Sequence, residues 1–164
     1  DLRIGGLIVV DTGAFTKRNL AKAGYETSPL DDDTLAPYQV LKLDITQRTL
    51  GALEELELKQ KDALRSRNMW TLGLMLWMFE QDRDATAEWV ARKFAKQPEI
   101  ARANLAALNA GHAFGETVEM PMDVVGYTVA KADVPPGIYR TVTGTEATAW
   151  GLLAGTQEIG RAHV

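Results

Sequence analysis

The first pattern along the chain is an apolar, β-branched run, Gly6-Leu7-Ile8-Val9-Val10, that ends in Asp11-Thr12-Gly13. An unbroken run of this kind predicts a parallel strand buried on both faces, with its carboxyl end opening into a loop. Residues 16–23 read as a short polar helix. Gly24 closes it, because glycine accepts the left-handed backbone of a helix end. Ser28-Pro29, the run Asp31-Asp32-Asp33, and Pro37 mark a loop. Tyr38, Val40, Leu41 and Leu43 then predict a second strand over residues 38–43.

From there the pattern turns helical. Asp44 or Thr46 can cap a helix in which Leu50, Leu53 and Leu56 recur at helical spacing. Residues 59–79 predict one long helix, polar at first and then apolar all round, so it must be covered on every side. Residues 86–95 place Trp89, Val90 and Phe94 on one stripe that packs beside it. Pro98 starts a further helix to about Gly111, with Ile100, Asn104, Leu105 and Leu108 along it, and the domain ends near Glu116.

Residues 117–137 carry Pro121, Gly126, Pro135, Pro136 and Gly137 without helical period, and read as an interdomain linker. A strand is expected over residues 138–142. Thr143 followed three residues later by Glu146 is a capping-box pattern, so a second domain is expected to open there with a helix.

Composition narrows the classes of function. The chain has 164 residues, 46% hydrophobic and 24% charged, which suits a globular protein of one domain or one domain and part of another. Its formal net charge is -4, with Lys and Arg dispersed among Asp and Glu, so no basic stripe offers itself to a nucleic acid. There is no cysteine, hence no disulfide, no thiolate nucleophile and no cysteine-held iron–sulfur cluster. The longest uncharged apolar run, residues 69–79, is well short of the roughly 20 residues that cross a bilayer. No secretion signal opens the chain, and a cytoplasmic protein without membrane partners is expected.

Candidate chemistry is sparse. Asp31, Asp32 and Asp33 have oxygen donors for a hard cation but lack EF-hand spacing, and read as a solvated turn. Thr143-Gly144-Thr145 has backbone N–H groups for an anion but no phosphate-loop motif, and reads as an ordinary helix cap. His112 lies near a helix end, where the macrodipole favours a cation, and His163 is far from it without zinc-site spacing. The apolar helix has the composition of a core or a subunit interface. Asn68, Met69, Trp70, Gly73 and Trp77 are its candidate contact residues.

Four blocks carry a family resemblance. They are Gly6-Leu7-Ile8-Val9-Val10-Asp11-Thr12; residues 15–25, from Phe15 to Tyr25; Ser66-Arg67-Asn68-Met69-Trp70-Thr71-Leu72-Gly73; and residues 93–101 with Asn104 and Gly111. In order and spacing the chain resembles the alpha subunit of 2-oxoacid:ferredoxin oxidoreductases, in which a gamma domain is fused to a thiamine-type domain. The block over residues 15–25 is most similar to subunits of the 2-oxoglutarate type.

The resemblance implies an α/β fold: the carboxyl-terminal half of a Rossmann-like gamma domain over residues 1–116, the linker, and the start of a pyrimidine-type thiamine-diphosphate-binding domain over residues 138–157. It implies oxidative decarboxylation of a 2-oxoacid with coenzyme A, giving an acyl-CoA, carbon dioxide and reduced ferredoxin. Thiamine diphosphate with a magnesium ion would serve the whole enzyme as electron sink. A 4Fe-4S cluster would sit on a partner beta subunit, in keeping with a cysteine-free chain.

The family's Tyr-Pro-Ile-Thr-Pro motif is absent, so no catalytic residue and no cofactor is expected on this piece. The start at Asp1 is expected to be a truncation. Glu158-Ile159-Gly160-Arg161-Ala162-His163-Val164 resembles the translation of a common sequencing adapter and is expected to be an artefact. Two rivals remain open at this point: pyruvate or another 2-oxoacid as substrate, and a noncatalytic module that holds a partner through Trp70 and Trp77.

Overall fold

The computed structural model describes residues 2–117, 127, 129–130 and 132–161, with the side chains of residues 157–161 excepted. The chain is α/β and rich in helix. It divides into two units, residues 1–129 and 130–164, each described by itself.

In the first unit, β1 (Leu7–Asp11) pairs in parallel with β2 (Gln39–Leu43), in a register that sets Leu7 opposite Gln39 and Asp11 opposite Leu43. Side chains alternate faces along a strand. Leu7, Val9, Leu41 and Leu43 accordingly share the face that packs on the helical core. Between the strands lies α1 (Lys17–Lys22), capped by Thr16, whose hydroxyl accepts from Asn19 N at 3.3 Å. Gly24, at φ +81°, ends it as expected: Tyr25 N donates to Leu20 O (2.9 Å) and Gly24 N to Ala21 O (3.2 Å), the paired bonds of a Schellman motif.

Next come α2 (Ile45–Ala52), capped by Asp44, a 3₁₀ turn at Glu54–Leu56, and α3 (Gln60–Ala63). A second 3₁₀ turn, Leu64–Ser66, leads into α4 (Arg67–Met78). The single helix expected over residues 59–79 is therefore two helices with a tightened turn between them. Hydrophobic period alone does not separate an α-helix from a short 3₁₀ insertion, because both put neighbouring residues on one face. After α5 (Asp84–Lys93), α6 (Pro98–Thr117) runs past the expected end at Gly111. Gly111 is an interior contact of this helix and not its terminus.

The core is the crossing of α4 and α6. Trp70, Gly73, Leu74 and Met78 form the buried stripe of α4. On α6 the buried stripe includes Ala103, Ala107, Gly111 and Gly115, small residues spaced by four. Ridges of that kind let two backbones touch. A methyl group added at Gly73 would overlap the Leu108 carbonyl, one added at Gly111 would overlap the Trp70 carbonyl, and one added at Gly115 would strike the Trp77 indole. Trp70 also lies against Phe114, with ring centroids 5.3 Å apart, and the Arg48 guanidinium sits 4.1 Å from the Phe114 ring centre, which ties α2 to the same pair.

The sequence expectation for α6 differs here. Of the four residues expected along it, Asn104 and Leu108 are buried, but Ile100 is exposed and Leu105 only half-buried, and the small residues Ala103, Ala107, Gly111 and Gly115 are buried instead. A close crossing selects for the absence of side chain, which a search for large apolar residues does not register.

In the second unit, residues 138–142 form no strand: Ile138 and Tyr139 are exposed and the segment has no sheet partner among the described residues. A strand exists only by pairing, and the β-branched pattern did not supply a neighbour. The expected capping box does form at the start of α7 (Gly144–Arg161). Thr143 N and Thr143 Oγ1 donate to Glu146 Oε2 at 2.8 and 2.9 Å, and Glu146 N donates back to Thr143 Oγ1 at 3.2 Å. Much of the expected linker, and residues 162–164 of the expected artefact, lie outside the described residues.

Two predictions follow from these contacts. Gly111→Ala should lower stability by about 1–3 kcal/mol or more, because its methyl meets backbone. Gly51→Ala, in the last turn of α2 with open space around it, should raise stability by up to about 0.5–1 kcal/mol. Urea unfolding of the two variants measures both, and equal signs would contradict the packing described.

The second concerns Glu146, whose carboxyl is held below the usual range by hydrogen bonds from Thr143, the backbone N–H first and the hydroxyl second. A carboxylate with a lower pKa folded than unfolded contributes stability above its unfolded pKa, and that contribution is lost as pH falls through the folded value. The start of α7 should be capped at neutral pH and fray on acidification. An NMR titration of the Thr143 amide with its midpoint at or above the ordinary Glu value would contradict this.

Candidate functional site

In open α/β sheets ligands sit beyond the carboxyl ends of the strands. In this chain that position is occupied by side chains of the chain itself. Both strands end in an Asp: Asp11 closes β1 and Asp44 follows β2. Asp44 Oδ1 accepts from Gln47 N at 2.9 Å. Asp11 reaches across from the neighbouring strand, its Oδ1 accepting from Thr46 N (3.1 Å) and Gly13 N (3.2 Å).

Asp11 Oδ2 accepts from the Thr46 hydroxyl at 2.8 Å and from Arg67 Nη1 at 3.2 Å, and Arg67 Nη1 also donates to Thr46 Oγ1 at 3.1 Å. The Asp11 side chain is only 14% exposed, the Arg67 side chain 40%. The first N–H groups of α2, which would otherwise favour an anion, are thus spent on two carboxylates of the same chain. Gly13 lies close under them: a Cβ there would come within 2.9 Å of Asp44 Oδ1 and of Thr46 Cβ. The cluster fastens β1 to α2 and to the first residue of α4.

The residues singled out in the sequence fall elsewhere. Asp31, Asp32 and Asp33 are exposed, and Asp32 Oδ1 accepts from Thr34 N at 2.8 Å, so the run is a solvated turn. Hydrogen bonds from Thr34, its side chain first, hold the Asp32 carboxyl below the usual range. His112 is largely covered, with Nδ1 3.3 Å from Glu116 Oε1 but without hydrogen-bond alignment. His163 lies outside the described residues. Thr143 is engaged by Glu146, so the backbone there is already capped.

Of the five contact candidates, Asn68 is exposed, Met69 and Trp77 are half-buried and pack against the core, and Trp70 and Gly73 are buried. Trp70, Gly73 and Trp77 meet α6 of the same chain. The Asp11–Thr46–Arg67 cluster was missed as a unit. Its signal was present as a repeated pattern, an apolar run stopped by Asp with Thr one or two residues on, in Val10-Asp11-Thr12 and in Leu43-Asp44-Ile45-Thr46.

With this geometry in hand, the comparisons define the class. Residues 1–114 match the family model described as pyruvate ferredoxin/flavodoxin oxidoreductase, and the chain belongs to that family. The resemblance to 2-oxoacid:ferredoxin oxidoreductases read from the four sequence blocks is borne out.

A particular relative is the 2-oxoglutarate oxidoreductase subunit KorA of Mycobacterium tuberculosis (strain ATCC 25618 / H37Rv), 41% identical over 160 residues. The match covers 98% of this chain and 24% of that relative, so the chain spans about a quarter of the relative's length. No solved structure matches.

The described residues contain no group of three or more His, Cys, Asp or Glu side chains placed to hold a metal ion. With no cysteine, the chain has no thiolate for an iron–sulfur cluster.

Asp11→Ala should cost about 1–3 kcal/mol, since it strands two backbone N–H groups and the Thr46 hydroxyl. A double-mutant cycle with Arg67→Ala should assign no more than about 1 kcal/mol to the Asp11–Arg67 pair, because the guanidinium is partly in water. Denaturant titrations of the three variants give both values. A neutral Asp11→Ala would remove the structural role assigned to the cluster.

Proposed function

We propose that the chain is part of the alpha subunit of a 2-oxoglutarate:ferredoxin oxidoreductase. The observation that carries this reading is the 41% identity to KorA over 160 residues. The reaction of the whole enzyme is oxidative decarboxylation of 2-oxoglutarate with coenzyme A to succinyl-CoA and carbon dioxide, with ferredoxin as electron acceptor. Thiamine diphosphate and magnesium serve the whole enzyme, and a beta subunit carries the 4Fe-4S cluster in the cytoplasm. Residues 1–116 are the carboxyl-terminal half of a Rossmann-like gamma domain, residues 117–137 a linker, and residues 138–157 the opening of the thiamine-binding domain.

Within this reading the chain contributes scaffold. The parallel strand pair, its Asp11 tie and the glycine crossing of α4 and α6 give the gamma domain a stiff block, and Asn68 and Met69 stand at its margin as contact residues. No step of the chemistry is assigned to a residue of this chain.

The intact alpha subunit combined with its beta partner should reduce a viologen dye only when 2-oxoglutarate and coenzyme A are both present, with pyruvate markedly slower. The chain of residues 1–164 alone should reduce none. Preference for pyruvate would move the assignment to another member of the class, and activity of the chain alone would refute the scaffold role.

A further inference from the structure

The two-stranded sheet has two edges, and they are protected unequally. Gln39 N donates to Gly6 O at 3.1 Å, in a register that sets Leu7 opposite Gln39. Alternate residues of a paired strand turn their backbone groups to the partner, so Ile8 and Val10 face β2 while Leu7 and Val9 face away from it. The N–H and C=O groups of Leu7 and Val9 have no hydrogen-bond partner among the described residues.

On the far side of the sheet Val40 and Lys42 of β2 face outward in the same manner, but that edge carries the devices that ordinarily keep other strands off. Lys42 is exposed, and its Nζ donates to Leu30 O at 2.7 Å. Pro29, Leu30 and Leu35 line a hollow together with Val40 and Lys42, so the loop before β2 lies against it. β1 has none of these devices. Leu7-Ile8-Val9-Val10 carries no charge and no proline. Leu7, Ile8 and Val9 are only half-buried, although a run of this kind belongs in a parallel sheet covered on both faces.

We propose that the open edge of β1 receives an apolar strand of the same subunit, from a segment outside residues 1–164. β1 is then an interior strand, and β2 is the edge of the sheet. This assignment rests on the reading of the chain as part of a longer alpha subunit: the match to KorA spans 24% of that relative, which leaves ample polypeptide to supply a strand. Recognition is by backbone, with the N–H groups of Leu7 and Val9 as donors and their C=O groups as acceptors. An uncharged occupant without proline fits, because the strand beside Leu7 and Val9 must satisfy every backbone group away from water.

The test is residue-resolved hydrogen exchange on the assembled enzyme and on its alpha subunit freed of the beta partner. In both samples, and at every protein concentration, the Val9 amide should exchange about a hundredfold or more slower than the Val40 amide. Ile8 and Val10, bonded to β2, serve as the internal standard for an intact sheet. A slow Val40 beside a fast Val9 would move the added strand to β2, and equal rates at the two positions would leave neither edge distinguished; either result overturns the proposal. Loss of Val9 protection on removal of the beta partner or on dilution would assign the edge to another chain and overturn it equally. Proline separates the edges independently: Val40→Pro should leave the yield of folded subunit unchanged, as on an edge strand, and Val9→Pro should abolish it. The reverse order would contradict the assignment. A preference of the enzyme for pyruvate would change the substrate reading and leave these exchange rates as they are.

Discussion

Two helices meet backbone to backbone where α4 crosses α6, and the rest of the first unit is arranged around that contact. Gly73 faces the Leu108 carbonyl and Gly111 faces the Trp70 carbonyl, so each helix supplies the gap that the other fills. Contacts this close gain dispersion and bring Cα–H groups up to carbonyl oxygens, individually small effects that add along a stripe. They also fix the crossing, because neither helix can rotate without driving a side chain into backbone. Trp70, Leu74 and Met78 are then held at nearly zero exposure, and Leu43, Ile45 and Leu53 pack into the same core.

The second constraint is electrostatic and starts at the same helix. Arg67, the first residue of α4, reaches Asp11 at the end of β1 and the Thr46 hydroxyl near the start of α2. One helix therefore connects the strand pair to α6, by a polar tie at its amino end and a glycine crossing along its length. The polar tie fills the position where α/β proteins commonly hold an anion. The chain that carries this arrangement belongs to the pyruvate ferredoxin/flavodoxin oxidoreductase family.

Much of the local structure was legible in the sequence because local interactions dictate it. The closure of α1 at Gly24 and the Thr143–Glu146 capping box depend on residues within a few positions of one another, and both strands announce themselves as local apolar runs although they form by pairing 32 positions apart. What escaped depends on partners distant in sequence. The 3₁₀ turn at Leu64–Ser66 packs against α2 and α6, the missing strand at residues 138–142 lacks a neighbour, and the true face of α6 is set by glycines that fit the helix opposite. The Asp11–Thr46–Arg67 cluster joins residues 35 and 56 positions apart. No spacing rule links these three, although the repeated Asp and Thr after each apolar run marks two of them.

The claim that the α4–α6 crossing organises the unit is tested most directly by native-state hydrogen exchange. The account predicts that amides of α4 and α6 around Gly73 and Gly111 exchange last and with one common opening free energy, while those of α5, mostly exposed, exchange earlier. Exchange of the α4 amides as early as those of α5, or α4 and α6 opening independently, would contradict it.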